Sequence, residues 1–415
     1  MKFNKSSQLL LVSAASLLVA SLVTACGTLT VDFVFIASSK AAGTNNYGEI
    51  DVFEINSQSG QMRQIPTSPF PSGGRDPVAE ALSSDNTNLY VVNQDDNTIV
   101  QFIIGNDGKL YPQNTVNTPG IYPLAVTVNG TNLFVVDTYQ PLPTCSTAAP
   151  CSGSVAVFPI TPTSSTPPSD VLGTPVANGS LNYWPLSLPA RPNDVIVPTA
   201  IDALKSGADI YITAYDSSVT PNVGYIFGFS VGSGGALTPL NGGAPFPAGT
   251  YPSAIAGDPS STYVYVTDFT HGYVLGYSVA SGLLTPLAGS PFPAGDRPDA
   301  IVVDPAYPFV YVANSLDNTV TAYSTSNGAL SNLGTYSTGL QPVAIGIDPS
   351  TNHFLFTANY LGNGVAGTVS GFELSPTAGT LVNSQNSPYT SNAQPTAVAA
   401  IPHGSSGKSS GGSSQ

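Results

Sequence analysis

Charge is what this 415-residue sequence has least of. Only 8% of its residues are Asp, Glu, Lys or Arg, against roughly 25% in ordinary soluble domains. Ten Lys and Arg face 24 acids, for a net charge of −14. A nucleic-acid binder needs a basic footprint, and none is present. Three cysteines and three histidines leave little for a metal cage, so no metal and no cofactor are expected. The 41 glycines and 37 prolines exclude a coiled coil and disfavour a helical bundle. No G-X-Y period exists, which removes collagen. What is present is β chemistry: 20 tyrosines and 17 phenylalanines give ample apolar area to bury.

The first residues read as an address. Lys2 and Lys5 precede an apolar run from Leu9 to Val23, too short for a spanning helix. The run ends Leu22-Val23-Thr24-Ala25-Cys26-Gly27. Small residues before a cysteine resemble a bacterial lipobox, with Val23 where Leu is usual. That resemblance implies a signal peptide over 1–25, lipidation of Cys26 and a short tether over 26–30. The expectation is a lipoprotein held to the membrane of the cell envelope, on its periplasmic or cell-surface side. Cys145 and Cys151, six apart in an exported chain, are expected to form a loop disulfide; free thiols or half a metal site are the alternatives.

Internal repetition decides the fold. Pro-x-Ala recurs at Pro77, Pro123, Pro198, Pro252, Pro298, Pro342 and Pro395. After each comes an alternating aromatic and β-branched run, as in Tyr311-Val312-Ala313-Asn314, then a second such run, then in most copies Gly-x-Leu. Four short strands per unit predict an all-β chain, a seven-bladed β-propeller with four-stranded blades over 31–403. The chain starts with a second-type strand and ends with a first-type strand. The C-terminal strand should therefore complete the N-terminal blade and close the ring. Gly404 to Gln415 reads as a disordered Gly/Ser tail.

The Tyr-Val-Ala-Asn strands and the Asp258-Pro259-Ser260 hairpin resemble YVTN-type propellers close to the lactonase family typified by 6-phosphogluconolactonase. The resemblance implies lactone hydrolysis at the channel mouth. Family members commonly carry His beside the proline that opens the inner strand. Here that residue is Asp76, Tyr122, Val197, Tyr251, Arg297, Gln341 or Gln394.

Departures from the repeat nominate a site. Glu80 stands where other copies have Val or Ile, and Asp202 is an acid one residue further along its own strand. Both are expected at the channel, as candidate general bases. Arg75 and Arg297 open inner strands and are expected to bind an anion or to pair with Asp76, Asp299 or Glu80. Asp95-Asp96-Asn97 and Asp317-Asn318 read as turns. The segment from Thr161 to Val197, with Tyr183, Trp184 and Arg191, and the loops Thr138–Ser152 and Tyr215–Asn222 could form a binding wall or a packed flap. His271 follows a second strand on the same face. The expected role is a monomeric scaffold for an unknown protein, glycan or small molecule, with lactone hydrolysis as the alternative.

Overall fold

A computed structural model describes residues 31–402 except 41–45, 58, 146–147, 163–169, 349–353 and 365. The signal peptide, Cys26, the tail, His353 and His403 lie outside the described residues. Seven antiparallel four-stranded sheets are arranged as a seven-bladed propeller. Blade one joins the chain ends: Gln394–Ile401 is its inner strand and pairs with Val31–Ser39, followed by Glu49–Asn56 and Met62–Gln64. The inner strands of blades two to seven are Pro77–Leu82, Ile121–Asn129, Ile196–Ala203, Pro252–Gly257, Pro298–Val303 and Leu340–Ile347. The expected closure of the ring is thus observed.

The core is not one mass. Seven clusters of buried side chains lie at the seven seams between neighbouring blades. At the seam of blades six and seven, Phe309 and Tyr311 meet Leu355 and Phe372. Strand alternation explains this: successive side chains point to opposite faces, and each face meets a neighbouring blade. The second-strand tyrosines also reach across. Tyr211, Tyr265 and Tyr311 donate their hydroxyls to the carbonyls of Gly282, Gly328 and Gly379 in the next blade. These glycines belong to the Gly-x-Leu element. Gly328 has φ 81°, and a Cβ there would stand 2.5 Å from the Tyr263 ring. Tyr90 has no such acceptor among the described residues. Blade three, its neighbour, has lost the Gly-x-Leu turn to the insertion.

Each Pro-x-Ala opens with a bulge. In every blade one extra residue stands between proline and alanine in the inner-strand ladder. These residues are Thr396, Val78, Leu124, Thr199, Ser253, Asp299 and Val343. Three of them fasten the ring: Thr396, Thr199 and Ser253 donate to the carbonyls of Pro77, Pro252 and Pro298 in the next blade.

Three Pro-Phe-Pro segments serve blade edges. Phe70, Phe246 and Phe292 pair with the third strands of blades one, four and five. In blade three Trp184 occupies the same register, opposite Val155. Tyr183 and Trp184 are only 4% and 6% exposed. The packed flap is therefore what forms, and neither ring is available to line a binding wall. Cys145 and Cys151 form the expected disulfide, Cα to Cα 5.4 Å.

Candidate functional site

The residues that open the inner strands crowd one rim of the channel. Asp76, Tyr122, Arg297 and Gln341 hold φ between 52° and 56°. Such left-handed backbone is costly for non-glycine residues and gathers at functional sites. Side chains of the turns hold it in place. Asn97 Oδ1 accepts the Tyr122 N–H at 2.6 Å, and Asn318 Oδ1 accepts that of Gln341 at 2.7 Å. The strand-ending residues grip the same loops from below. Asp137 accepts the Gly120 N–H, Asp268 those of Thr250 and Tyr251, and Asn314 that of Gly295. Asp268 also accepts the Thr270 N–H of the following turn.

The structure does not bring the sequence-nominated acids together. Glu80 sits in blade two and Asp202 in blade four. Neither lies in the open channel. Both Glu80 oxygens are inaccessible and lack hydrogen-bond partners among the described residues. They face the backbone of Ala37 and Ala399 in blade one. Burial holds this carboxyl well above the ordinary range. Asp202 accepts the Gly257 N–H of blade five at 2.7 Å and that of Ala203 at 2.9 Å. Burial pushes it up to about 6. The position that carries Glu80 faces the preceding blade in other copies, where Ile201, Ile255 and Ile301 fill the seams.

A raised carboxyl pKa costs stability as pH climbs above the unfolded value, here 4.5, because the native state then holds a proton that the unfolded chain has released. The stability gap between Glu80→Gln and the parent should therefore shift in favour of the variant as pH rises from 4.5 to 8. Thermal melts of both at several pH values check this. A gap that stays constant would contradict a protonated Glu80.

The arginines also find other partners than expected. Arg75 pairs with Asp96, its Nε 2.7 Å from Oδ1. Arg191 binds Asp194, the buried Asp216 and the Tyr225 hydroxyl, at 2.7, 2.9 and 2.9 Å. It thereby ties the insertion to blade four. The Ser152 hydroxyl donates to the Asp194 carbonyl, and Ser217 N–H to that of Val195, so the three enlarged loops form one unit. His271 Nδ1 lies 2.9 Å from Asp268 Oδ2, and its ring stacks on Tyr273.

Arg297 is different. It has no carboxylate partner among the described residues, and its guanidinium lies 5.5 Å over the Phe269 ring. It borders a cavity of about 350 Å³, shared by blades five to seven and lined by Phe269, Arg297, Asp299, Ser315, Leu316, Asn318, Leu340, Gln341 and Leu361. That volume suits a small ligand, at the low end of the roughly 300–1,000 Å³ usual for such pockets. Asp299 is the bulge residue of blade six. Burial raises its carboxyl to about 6, partly offset by the nearby Ser315 side chain, whose hydroxyl donates to the Arg297 carbonyl. A second cavity of about 300 Å³, between blades seven and one, shares Leu361 and is lined by Lys40, Tyr360 and Gln394 among others. No group of three or more metal-ligating side chains is found among the described residues.

Sequence reasoning met Asp299 only as a partner for arginines and missed Phe269 and Ser315. A signal existed. The residues before each proline and after each second strand vary in kind while their neighbours repeat.

A model of the seven-bladed β-propeller lactonase family matches residues 37–172 and 250–392. Known structures share the fold at low identity. A protein of Bacteroides uniformis, provisionally described as a 6-phosphogluconolactonase, is 17% identical with TM-score 0.68, over 90% of this chain and 100% of that one. A Bacteroides fragilis protein with the same provisional description is 19% identical, TM-score 0.66, over 90% and 99%. A periplasmic gluconolactonase of Pseudomonas aeruginosa is 18% identical, TM-score 0.67, over 90% and 99%. No curated protein sequence matches the chain. The family match covers more than half of the sequence, and the chain belongs to the lactonase family of seven-bladed β-propellers.

Proposed function

We propose that this protein hydrolyses a small lactone in the cavity of blades five to seven. One observation carries the reading. Asp299 puts a carboxyl at a bulge where three other blades place a hydroxyl that donates to the next blade. An ionised carboxylate cannot make that bond. Retaining one beside an arginine that has no carboxylate partner among the described residues, in an open cavity, gives up structural order for chemistry. In the reaction, water adds to the lactone carbonyl carbon and the ring C–O bond breaks. Asp299 takes the water proton and returns it to the departing ring oxygen. Arg297 stabilises the negative charge that develops on the carbonyl oxygen. The product is a hydroxy acid.

Purified protein tested on γ- and δ-lactones should show turnover whose kcat/KM rises through about pH 6, as Asp299 deprotonates. Asp299→Asn should lower it by about 10²–10⁴-fold. Turnover undiminished in that variant would remove Asp299 from the mechanism.

The same reading places the protein at the cell envelope, lipid-anchored through Cys26 and acting as a monomer. The signal-like N-terminus, the Cys145–Cys151 disulfide and the periplasmic gluconolactonase neighbour support the envelope location. No helix among the described residues is long and apolar enough to cross a membrane. A binding scaffold is the second reading. Leu316, Leu340 and Leu361 are 51%, 41% and 47% exposed around the cavity, as a docking surface would require.

A further inference from the structure

A line of aromatic side chains leads away from the Asp299 cavity across the mouth. Phe269, at the cavity wall, lies 5.5 Å from the Tyr251 ring. Tyr251 lies 4.7 Å from Tyr215, and their hydroxyls are near enough to influence one another's ionisation. Tyr139 is near enough to Tyr215 to influence its ionisation, and Tyr122 lies 6.1 Å beyond Tyr139. At its other end the line reaches the carboxyl of Asp299; burial raises the Tyr251 hydroxyl most, and the charges of Tyr215 and Asp299 add to it. Five rings from blades three, four and five thus make one arc ending at the cavity. All five are half-buried, with an accessible part.

Rings that served only to pack would be covered, as Tyr90, Tyr211, Tyr265 and Tyr311 are at the seams. Four of the five arc rings carry hydroxyls. Those of Tyr122 and Tyr139 make no hydrogen bond among the described residues. The Arg297 guanidinium over Phe269 and the Asp299 carboxyl stand at the cavity end of the arc; away from that end it presents uncharged rings, and the nearby Asp216 is buried and paired with Arg191. A neutral ligand with flat C–H faces and hydroxyl-bearing edges matches this surface. The faces lie on the negative ring faces, and the edges meet the phenol hydroxyls. A pyranose ring has that form, and successive pyranoses would need successive platforms.

We propose that the substrate is an oligosaccharide whose oxidised end is a lactone, with the lactone ring in the Asp299 cavity and the sugar residues along the arc. This rests on the lactonase reading. The test compares kcat/KM for glucono-δ-lactone with that for the aldonolactones made from maltotriose and cellotriose. One trisaccharide lactone should be preferred by about tenfold or more, and Tyr139→Ala should abolish most of that preference. Tyr139→Phe should fall between, because it keeps the platform and loses the hydroxyl. Equal kcat/KM for all three lactones, or a preference untouched by Tyr139→Ala, would overturn the proposal. If no lactone is turned over, the lactonase reading fails and calorimetry with unoxidised maltotriose and cellotriose decides for the arc alone. Binding that weakens about tenfold in Tyr139→Ala would support a glycan site. Absence of binding would reject it.

Discussion

A chain ending at Ala393 will not fold to a cooperative native state, whereas one ending at Pro402 will melt like the full chain. The lost strand, Gln394–Ile401, is the inner strand of blade one. Its removal leaves Val31–Ser39 with an unpaired inner edge. It also strips side chains from two seams. Val398 packs against the cluster of blades one and seven, and Ala399 and Ile401 belong to that of blades one and two. Thr396, which bonds Pro77 of blade two, goes with them. Each large apolar side chain contributes roughly 1.5–3 kcal/mol, and whole domains are stable by only about 5–15 kcal/mol. Ring closure is also shared by every blade, so opening one place loosens its two neighbours. Circular dichroism melts of the two chains are the measurement. A cooperative transition of the shorter chain near that of the longer would show that six closed blades suffice.

Trp184→Ala should destabilise the protein by about 3–5 kcal/mol, the usual cost of deleting a buried large aromatic. The ring lies in the seam of blades three and four, with Phe134, Val155 and Leu186. It also continues the edge ladder opposite Val155. Trp184→Phe should recover much of the loss, because phenylalanine fills this register in blades one, four and five. Trp184 is the sole tryptophan, so denaturant curves must be read by circular dichroism. A loss below about 1 kcal/mol for the alanine variant would return Trp184 to the surface and reopen a ligand role.

The repeat made the architecture legible because each blade solves the same packing problem with the same residues. Pro-x-Ala, the aromatic alternation and Gly-x-Leu are all needed by backbone and seam alike. The insertion hid one copy of this pattern. Trp184-Pro185 does in blade three what Phe-Pro does elsewhere, yet a long Pro- and Ser-rich stretch disguises the register. Glu80 stood out as an exception, but where its carboxyl pointed did not. A strand beside the axis has two neighbouring blades and the channel within reach, and alternation cannot separate them. The mouth was least legible. Tyr139, Tyr215, Phe269 and Asp299 come from different blades and meet only because the ring closes.

The inner-strand bulges have a consequence for how such a protein can change. The extra residue at each Pro-x-Ala owes nothing to the ladder, so its side chain is exempt from the rule that governs its neighbours. Seven positions, from Thr396 in blade one to Val343 in blade seven, already carry threonine, serine, valine, leucine and aspartate on one backbone geometry. Thr396, Thr199 and Ser253 bond the next blade and Val78 packs at the seam of blades two and three, which leaves Leu124, Asp299 and Val343 as interchangeable sockets around a fixed hub. A library restricted to these three codons would vary the chemistry at the axis while leaving the seven seam clusters and the bonds between blades untouched. It is a small set of changes from which a new specificity could be selected without first re-stabilising the fold.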